Sequence, residues 1–381
     1  MFTLSDKNVL EIINRLEENG FSAYAVGGCV RDLLIGREVN DYDVATSALP
    51  SQTKEVFRDK KVIETGIKHG TVTVLYGGEP YEVTTYRTES AYSDSRHPDS
   101  VTFVDDIESD LARRDFTVNA MAYSPKRGSR DPFGGASDAL NKIIRAVGNA
   151  YERFDEDALR ILRALRFASA LGFTIEPGTS KAIFDLKHKL KDISVERVYS
   201  ELTKLVTGPY AAEVISAYRT VIEVFAPVCN CERLDLLPPV PAMRFAYLFG
   251  AGSAEVLRSL RSDNATASAA GLLANSRAIP ADRIGIKRFA AEYGRESAVM
   301  IATYRRAAFG EDPGQEVESV AGSDECLSLK ELAVKGRDLK KIGITGRCVG
   351  ETLDILLSRV IDELIPNEKE RLIRAAEEIN S

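Results

Sequence analysis

The 381-residue chain contains no tryptophan, only three histidines (His69, His97, His188) and five cysteines (Cys29, Cys229, Cys231, Cys326, Cys348). The histidines fall in no H-x-x-x-H spacing, which argues against a helix-borne zinc site and against histidine-based hydrolase chemistry. The cysteine count is odd and no C-x-x-C pair occurs, so neither a disulfide framework nor a zinc cluster is expected. Cys229 and Cys231 are close enough to invite a metal but read as ordinary thiols. No run of 18 or more apolar residues exists, so no membrane-crossing helix is expected. The opening MFTLSDKNVLEIINRLEENG is a charged amphipathic pattern without the apolar core of a secretory signal, and a cytoplasmic location is the expectation. Positive charge is not in excess: the formal net charge is -7, so any polyanion site must be local.

What is present suits a soluble globular protein of two to four modules, with 44% hydrophobic and 28% charged residues. Val9, Ile12, Ile13 and Leu16 recur at helical spacing, and Gly20 stops that helix. FSAYAVGG (21–28) reads as a buried strand ending in two glycines, CVRDLLIG (29–36) as a short helix, and EVNDYDVATS (38–47) as the next strand. PSQTKEVF (50–57) opens a helix with proline. GTVTVLYGG and PYEVTTYRT alternate around a Gly-Gly-Glu turn, a hairpin signal. After DPFGG (131–135) strand signals fade, and SVERVYSELTKLV, MRFAYLFG and GETLDILLSRVIDEL carry helical spacing. The expected class is α+β: a head with a mixed sheet and helices, then an all-helical remainder.

Chemistry concentrates in the first half. On a strand, residues i and i+2 share a face, so Asp41 and Asp43 would project together. Like charges so placed repel, and a pair of divalent cations would relieve the repulsion through hard oxygen ligands. A solvent-exposed turn with two acids is the alternative. Upstream, Gly27-Gly28 followed by Arg31-Asp32 reads as a phosphate-cradling strand–helix turn or simply as a tight turn. Taken together, a phosphate cradle and D-x-D describe a nucleotidyl-transfer site. Glu82 reads either as a third carboxylate from a neighbouring strand or as an exposed edge residue. Further on, Asp157, Arg160 and Arg163 fall at i, i+3 and i+6, opposite an apolar stripe of Ala158, Ile161, Leu162, Leu165 and Ala168. An Asp and an Arg so placed present an acceptor and donors to a base edge, or form a surface ion pair.

These segments resemble the class II CCA-adding enzymes, the tRNA nucleotidyltransferase and bacterial poly(A) polymerase family of the DNA polymerase β superfamily. YAVGGCVRDLLIGREVNDYDVATSALP carries the signature, joined by LARRDFTVNAMAY, DPFGGASDALNKIIRAVG, ERFDEDALRILRALRFASALGF and ISVERV. The motifs span roughly residues 22–205, and the tail from Lys335 resembles the family's ending. The resemblance implies a seahorse-like arrangement: a nucleotidyltransferase head (1–137), a base-recognition neck (138–206), a body (207–322) and a tRNA-binding tail (323–381). It implies template-free addition of C, C and A to the tRNA 3′ end from CTP and ATP, with Mg²⁺ on Asp41 and Asp43 and pyrophosphate released. By motif position Gly28 and Arg31 hold the triphosphate, and Arg114, Asp115 and Asn119 bind phosphates and ribose. Asp157 and Arg160 pair with the base, and Arg163 and Arg166 reach phosphates. A monomer or homodimer without membrane attachment is expected.

Specialists that add only CC or only A share these motifs. RTESAYSDSRHPDSVTFVDD (87–106) fills the interval that CC-only enzymes lack, which favours full CCA addition. A poly(A) polymerase would carry a strongly basic C-terminal extension, and a small-molecule nucleotidyltransferase would lack the E-D-x-x-R helix. A catalytically inactive RNA-binding protein would not need Asp41, Asp43 and Arg160. KGRDLKKIGITGR (335–347), with five basic residues against one acid, is the best local polyanion patch, or an ordinary solvated face.

Overall fold

The computed structural model describes residues 4, 6–64, 66–89, 101–311 and 315–380. The chain forms two compact units, one of Met1–Asp235 with Glu255–Ala267, the other of Leu236–Ala254 with Ser268–Ser381.

In the first unit, α1 (Lys7–Glu18) is capped by the Asp6 carboxylate, which accepts from the Val9 N–H. Its expected stripe, Val9, Ile12, Ile13 and Leu16, is fully buried. There follow β1 (Ala23–Val26), α2 (Gly28–Leu34), β2 (Asp43–Thr46), α3 (Pro50–Val56), β3 (Lys61–Ile63), β4 (Thr71–Tyr76) and β5 (Glu79–Thr85). Next come a short ladder of β6 (Arg87–Glu89) and β7 (Val101–Phe103), then α4 (Ile107–Ala112), β8 (Ala122–Ser124) and β9 (Gly128–Arg130). The seven-stranded sheet runs β3-β4-β5-β2-β1-β8-β9, with only β2 and β5 parallel. The β4–β5 hairpin turns at Gly77 and Gly78, with φ of 60° and 94°, a pair of left-handed positions that glycine fills without steric cost.

The central strands β1 and, from Val44 onward, β2 are buried on both faces, so alternate residues serve different cores. Ala23, Ala25, Val44, Tyr81 and Val83 pack with α1, whereas Tyr24, Val26 and Ala45 pack with Leu111 and Ala122. Asp43 and Glu82 fall in phase with this second face.

The strand expected over 38–47 is shorter. Only residues 43–46 find ladder partners on β1, which ends at Val26 opposite Asp43 before Gly27 turns the chain into α2. Asp41 therefore precedes the strand rather than sharing its face with Asp43.

Beyond the sheet, α5 (Gly135–Leu140), α6 (Ala150–Glu156), α7 (Leu159–Leu171), α8 (Pro177–Leu186) and α9 (Val195–Val206) continue the unit, with a small parallel pairing of Ile143–Ile144 and Thr174–Ile175. The single helix expected through E-D-x-x-R is in fact two. Asp157 is extended (φ -146°, ψ 102°) between α6 and α7, where its Oδ1 accepts from the Leu159 N–H. The second unit is helical, with a core of Leu332, Val334, Leu339, Leu356 and Leu372 among others. Among the described residues, no helix is long and apolar enough to cross a membrane.

Candidate active site

Parallel pairing of β2 with β5 sets Asp43 opposite Glu82. The Asp43 carboxyl is pushed above its ordinary pKa, first by desolvation within the cleft and then by Asp41, against the opposing pull of Arg114. Its side chain still reaches solvent, so this is crowding by cleft walls rather than enclosure. Glu82 is raised as well, by desolvation and by the charges of Asp43 and Asp41. Two carboxylates whose ionised forms are disfavoured by burial and by neighbouring acids suit a hard cation. No group of three or more His, Cys, Asp or Glu is gathered into a metal-holding cluster among the described residues. Glu82 thus stands beside the aspartates without closing a cage. One or two carboxylates, completed by water and substrate phosphates, is the usual complement for Mg²⁺.

The glycine turn faces these acids. Gly27 has φ 78° and ψ -133°, and a Cβ there would lie 2.8 Å from Arg114 Nη1. Arg31 is buried, donating from Nη1 to Asn119 Oδ1 (2.6 Å) and from Nε and Nη2 to the Asp32 carboxylate (both 3.0 Å). Arg114 Nη1 donates to the Asn119 carbonyl at 3.3 Å. Gly27→Ala is expected to cost about 1–3 kcal/mol of stability through backbone strain and to raise the KM for nucleotide by displacing Arg114. Thermal unfolding and initial-rate kinetics check it, and an unchanged KM would count against the placement.

The arginine pair is anchored from below by a residue the motif reading passed over. Asp110 is fully buried and accepts from Arg113 Nη2 (2.8 Å), Arg114 Nη2 (3.4 Å) and the Arg87 N–H (3.2 Å). Its signal is spacing: an acid three and four residues before two arginines on a helix end. Asp115 is committed inward, accepting from Phe116 N–H, Asn119 Nδ2 and, at 2.6 Å, Arg163 Nη2. Desolvation would raise its pKa, but Arg163 and these hydrogen bonds hold it below the ordinary carboxylate value. It organises the site rather than offering free lone pairs.

At the other end, Arg160 is buried on the first turn of α7. It donates from Nη1 to Glu156 Oε2 (2.6 Å) and the Arg153 carbonyl (3.2 Å), and from Nη2 to the Arg113 carbonyl (3.1 Å). The i,i+3 pair between Asp157 and Arg160 does not form. Arg197 on α9 instead donates to Asp157 Oδ2 at 2.7 Å. Arg166 turns to Glu201 (2.8 Å), and burial lowers its pKa.

One cleft of about 710 Å³ joins these groups. It brings together Gly28, Arg31, Asp43, Arg114, Asp115, Asn119, Asp157, Arg160 and Arg163; Asp41, Glu82 and Arg166 are not on its lining. It adds His69, Arg87, Arg113, Phe167 and Arg197, none expected as site residues, although Arg197 lies within the recognised ISVERV. In the second unit, Lys335, Arg337, Lys340, Lys341 and Arg347 are all exposed.

Three family models match the chain: Poly A polymerase head domain over 23–145, Probable RNA and SrmB- binding site of polymerase A over 172–220, and tRNA nucleotidyltransferase domain 2 over 245–376. The CCA-adding enzyme of Geobacillus stearothermophilus is 40% identical, over 96% of this chain and 95% of its own length. The crystal structure of Bacillus stearothermophilus CCA-adding enzyme in complex with CTP superposes with a TM-score of 0.83 at 36% identity, covering 98% of this chain and 97% of that one. The Thermotoga maritima CCA-adding enzyme complexed with tRNA shares the fold, with a TM-score of 0.64 at 20% identity and coverage of 98% and 95%. By the first of these relatives, similar along nearly the whole of both chains, this chain belongs to the CCA-adding enzymes, a family of tRNA nucleotidyltransferases.

Proposed function

We propose that the cleft joins C, C and A to the tRNA 3′ end without a nucleic-acid template, using CTP and ATP and releasing pyrophosphate. The observation that carries this is the continuity of a single cleft from Asp43, through the arginines at the glycine turn, to Asp157 and Arg160. Relatives holding CTP and tRNA support the substrate assignment. Asp41 and Asp43 hold Mg²⁺, with Glu82 alongside; bound metal supplies Lewis acidity at the attacking hydroxyl and the leaving pyrophosphate. Gly28, Arg31 and Arg114 orient the triphosphate for in-line attack of the tRNA 3′-hydroxyl on the α-phosphorus. Asn119 and Asp115 fix those arginines and Arg163, and no histidine base is needed. Asp157 accepts from the exocyclic amine of cytosine or adenine while Arg160 donates to the ring nitrogen beside it.

Catalysis is assigned to a head over 1–137, base recognition to a neck over 138–206, and tRNA binding to a tail over 323–381 that follows a helical body (207–322), with the basic patch at 335–347 as one contact. The setting is the cytoplasm. The interval that favours full CCA addition over a CC-only specialist lies largely outside the described residues, so product length decides it. Incubation with tRNA ending at its discriminator base, plus CTP and ATP, is expected to add three nucleotides, and CTP alone two. A product stopped at CC with both nucleotides present would establish the specialist, and no extension at all would overturn the assignment.

A further inference from the structure

Among the described residues, Phe167 brings the one phenyl ring to the lining of a cleft dominated by guanidinium and carboxylate groups, which also carries the imidazole of His69. It lies on α7, two turns after Arg160 and one turn after Arg163. Three arginines converge on it. The guanidinium carbons of Arg166, Arg163 and Arg31 lie 4.0, 5.5 and 5.6 Å from the ring centre. Phe116, which follows Asp115, meets the same ring edge-on at 5.8 Å with the planes 79° apart.

Each of these cations is also paired with a carboxylate. Arg31 is held by Asp32, Arg163 by Asp115 and Arg166 by the buried Glu201. Arg31 comes from α2 and Arg163 from α7, so no backbone element fixes their separation directly. Asn119 and Asp115 link them through hydrogen bonds, and the ring is the apolar surface they share. An aromatic face attracts cations within about 6 Å of its centre, and more strongly where water is scarce. An aliphatic side chain would fill the space but offer no such attraction. The Arg166–Glu201 contact backs the ring from within: Arg166 Nε and Glu201 Oε2 are both buried and 2.8 Å apart, off the line of a hydrogen bond. That leaves Arg166 seated by the ring as much as by its acid.

We propose that Phe167 is a positioning residue for nucleotide binding: its ring sets the spacing of Arg31 and Arg163, so that a triphosphate entering between the glycine turn and α7 meets both. The proposal rests on the nucleotidyl-transfer reading of the cleft, and it concerns the phosphates rather than the base. CTP and ATP should therefore depend on the ring equally.

The test is steady-state extension of tRNA by Phe167→Leu and by Phe167→Met, which fills a similar volume with a flexible apolar chain. Both are expected to raise KM for CTP and for ATP alike, roughly five- to tenfold, with kcat within about twofold of wild type. Preference for CTP over UTP should not move. Phe167→Tyr keeps the ring face and is expected to restore KM. An unchanged KM in the Leu and Met proteins, or a Tyr variant as impaired as Leu, overturns the proposal. So does failure of both Leu and Met variants to reach the wild-type thermal midpoint, which would make the ring a core residue only. Wild-type enzyme that does not extend tRNA would instead overturn the reading of the cleft, so the two failures are told apart.

Discussion

Replacing Asp43 with alanine is expected to lower nucleotide incorporation by at least about a thousandfold, the scale of losing several kcal/mol of metal-based stabilisation. Asp41→Ala should follow it, though Asp41 lies just before the strand and off the cleft lining. The fold should not suffer. Asp43 and Glu82 both titrate above their ordinary values. Between the ordinary and the raised value, the folded chain holds protons that the unfolded chain has released, so stability falls as pH rises through that window. At neutral pH the ionised carboxylates are therefore a burden on the folded state, reduced because both side chains reach solvent. The Asp43→Ala protein should melt no lower than wild type at pH 7. Mg²⁺ should raise the thermal midpoint of wild type more than that of the variant. Incorporation assays and melting curves with and without Mg²⁺ check both halves; retained activity in the two single variants would sink the assignment.

Arg160→Gln is expected to cut the preference for CTP over UTP by roughly 10- to 100-fold, the discrimination one good pair of base contacts supplies. Cytosine and adenine each present an amine donor beside a ring-nitrogen acceptor. Uracil and guanine reverse that order, so they would set an oxygen against Asp157 and an N–H against Arg160. Three of the five guanidinium N–H groups of Arg160 are spent on Glu156 and on the carbonyls of Arg153 and Arg113, which leaves two for a ligand and little freedom to turn. Asp157 is steadied by the Leu159 N–H and by Arg197. Glutamine keeps a donor but loses the charge and the fork, so turnover with CTP should fall less than selectivity. Competition between CTP and UTP on one tRNA measures it, and an unaltered ratio would remove Arg160 from base reading.

The sequence carried the chemistry further than it carried the geometry. Periodicity located α1 and the β4–β5 hairpin because each has a single buried face. It overextended the strand around Asp41, since ladder partners belong to β1 and are invisible locally. It joined α6 to α7 because Ala158, Ile161 and Leu162 keep helical phase across a break made by one extended residue, Asp157. Asp110 and Phe167 escaped notice for a different reason. Each has near neighbours in the chain, Arg113 and Arg114 for Asp110 and Arg163 and Arg166 for Phe167, but the contacts that tie them into the site come from other elements: the Arg87 N–H on β6, and Arg31 on α2. Motif residues were legible since their chemical type alone narrows their use; the residues that hold them are ordinary until the chain is folded.

The buried seat of Arg160 has a consequence for inheritance. If base choice resides in two side chains rather than in a complementary strand, the instruction for the end of every tRNA is stored in the codons for Asp157 and Arg160. A template error would spoil one molecule, but a substitution here would rewrite the same terminal nucleotides across the whole tRNA population at once. Such a site has no gradual route to a new specificity, and its variation is expected to be confined to the residues around it.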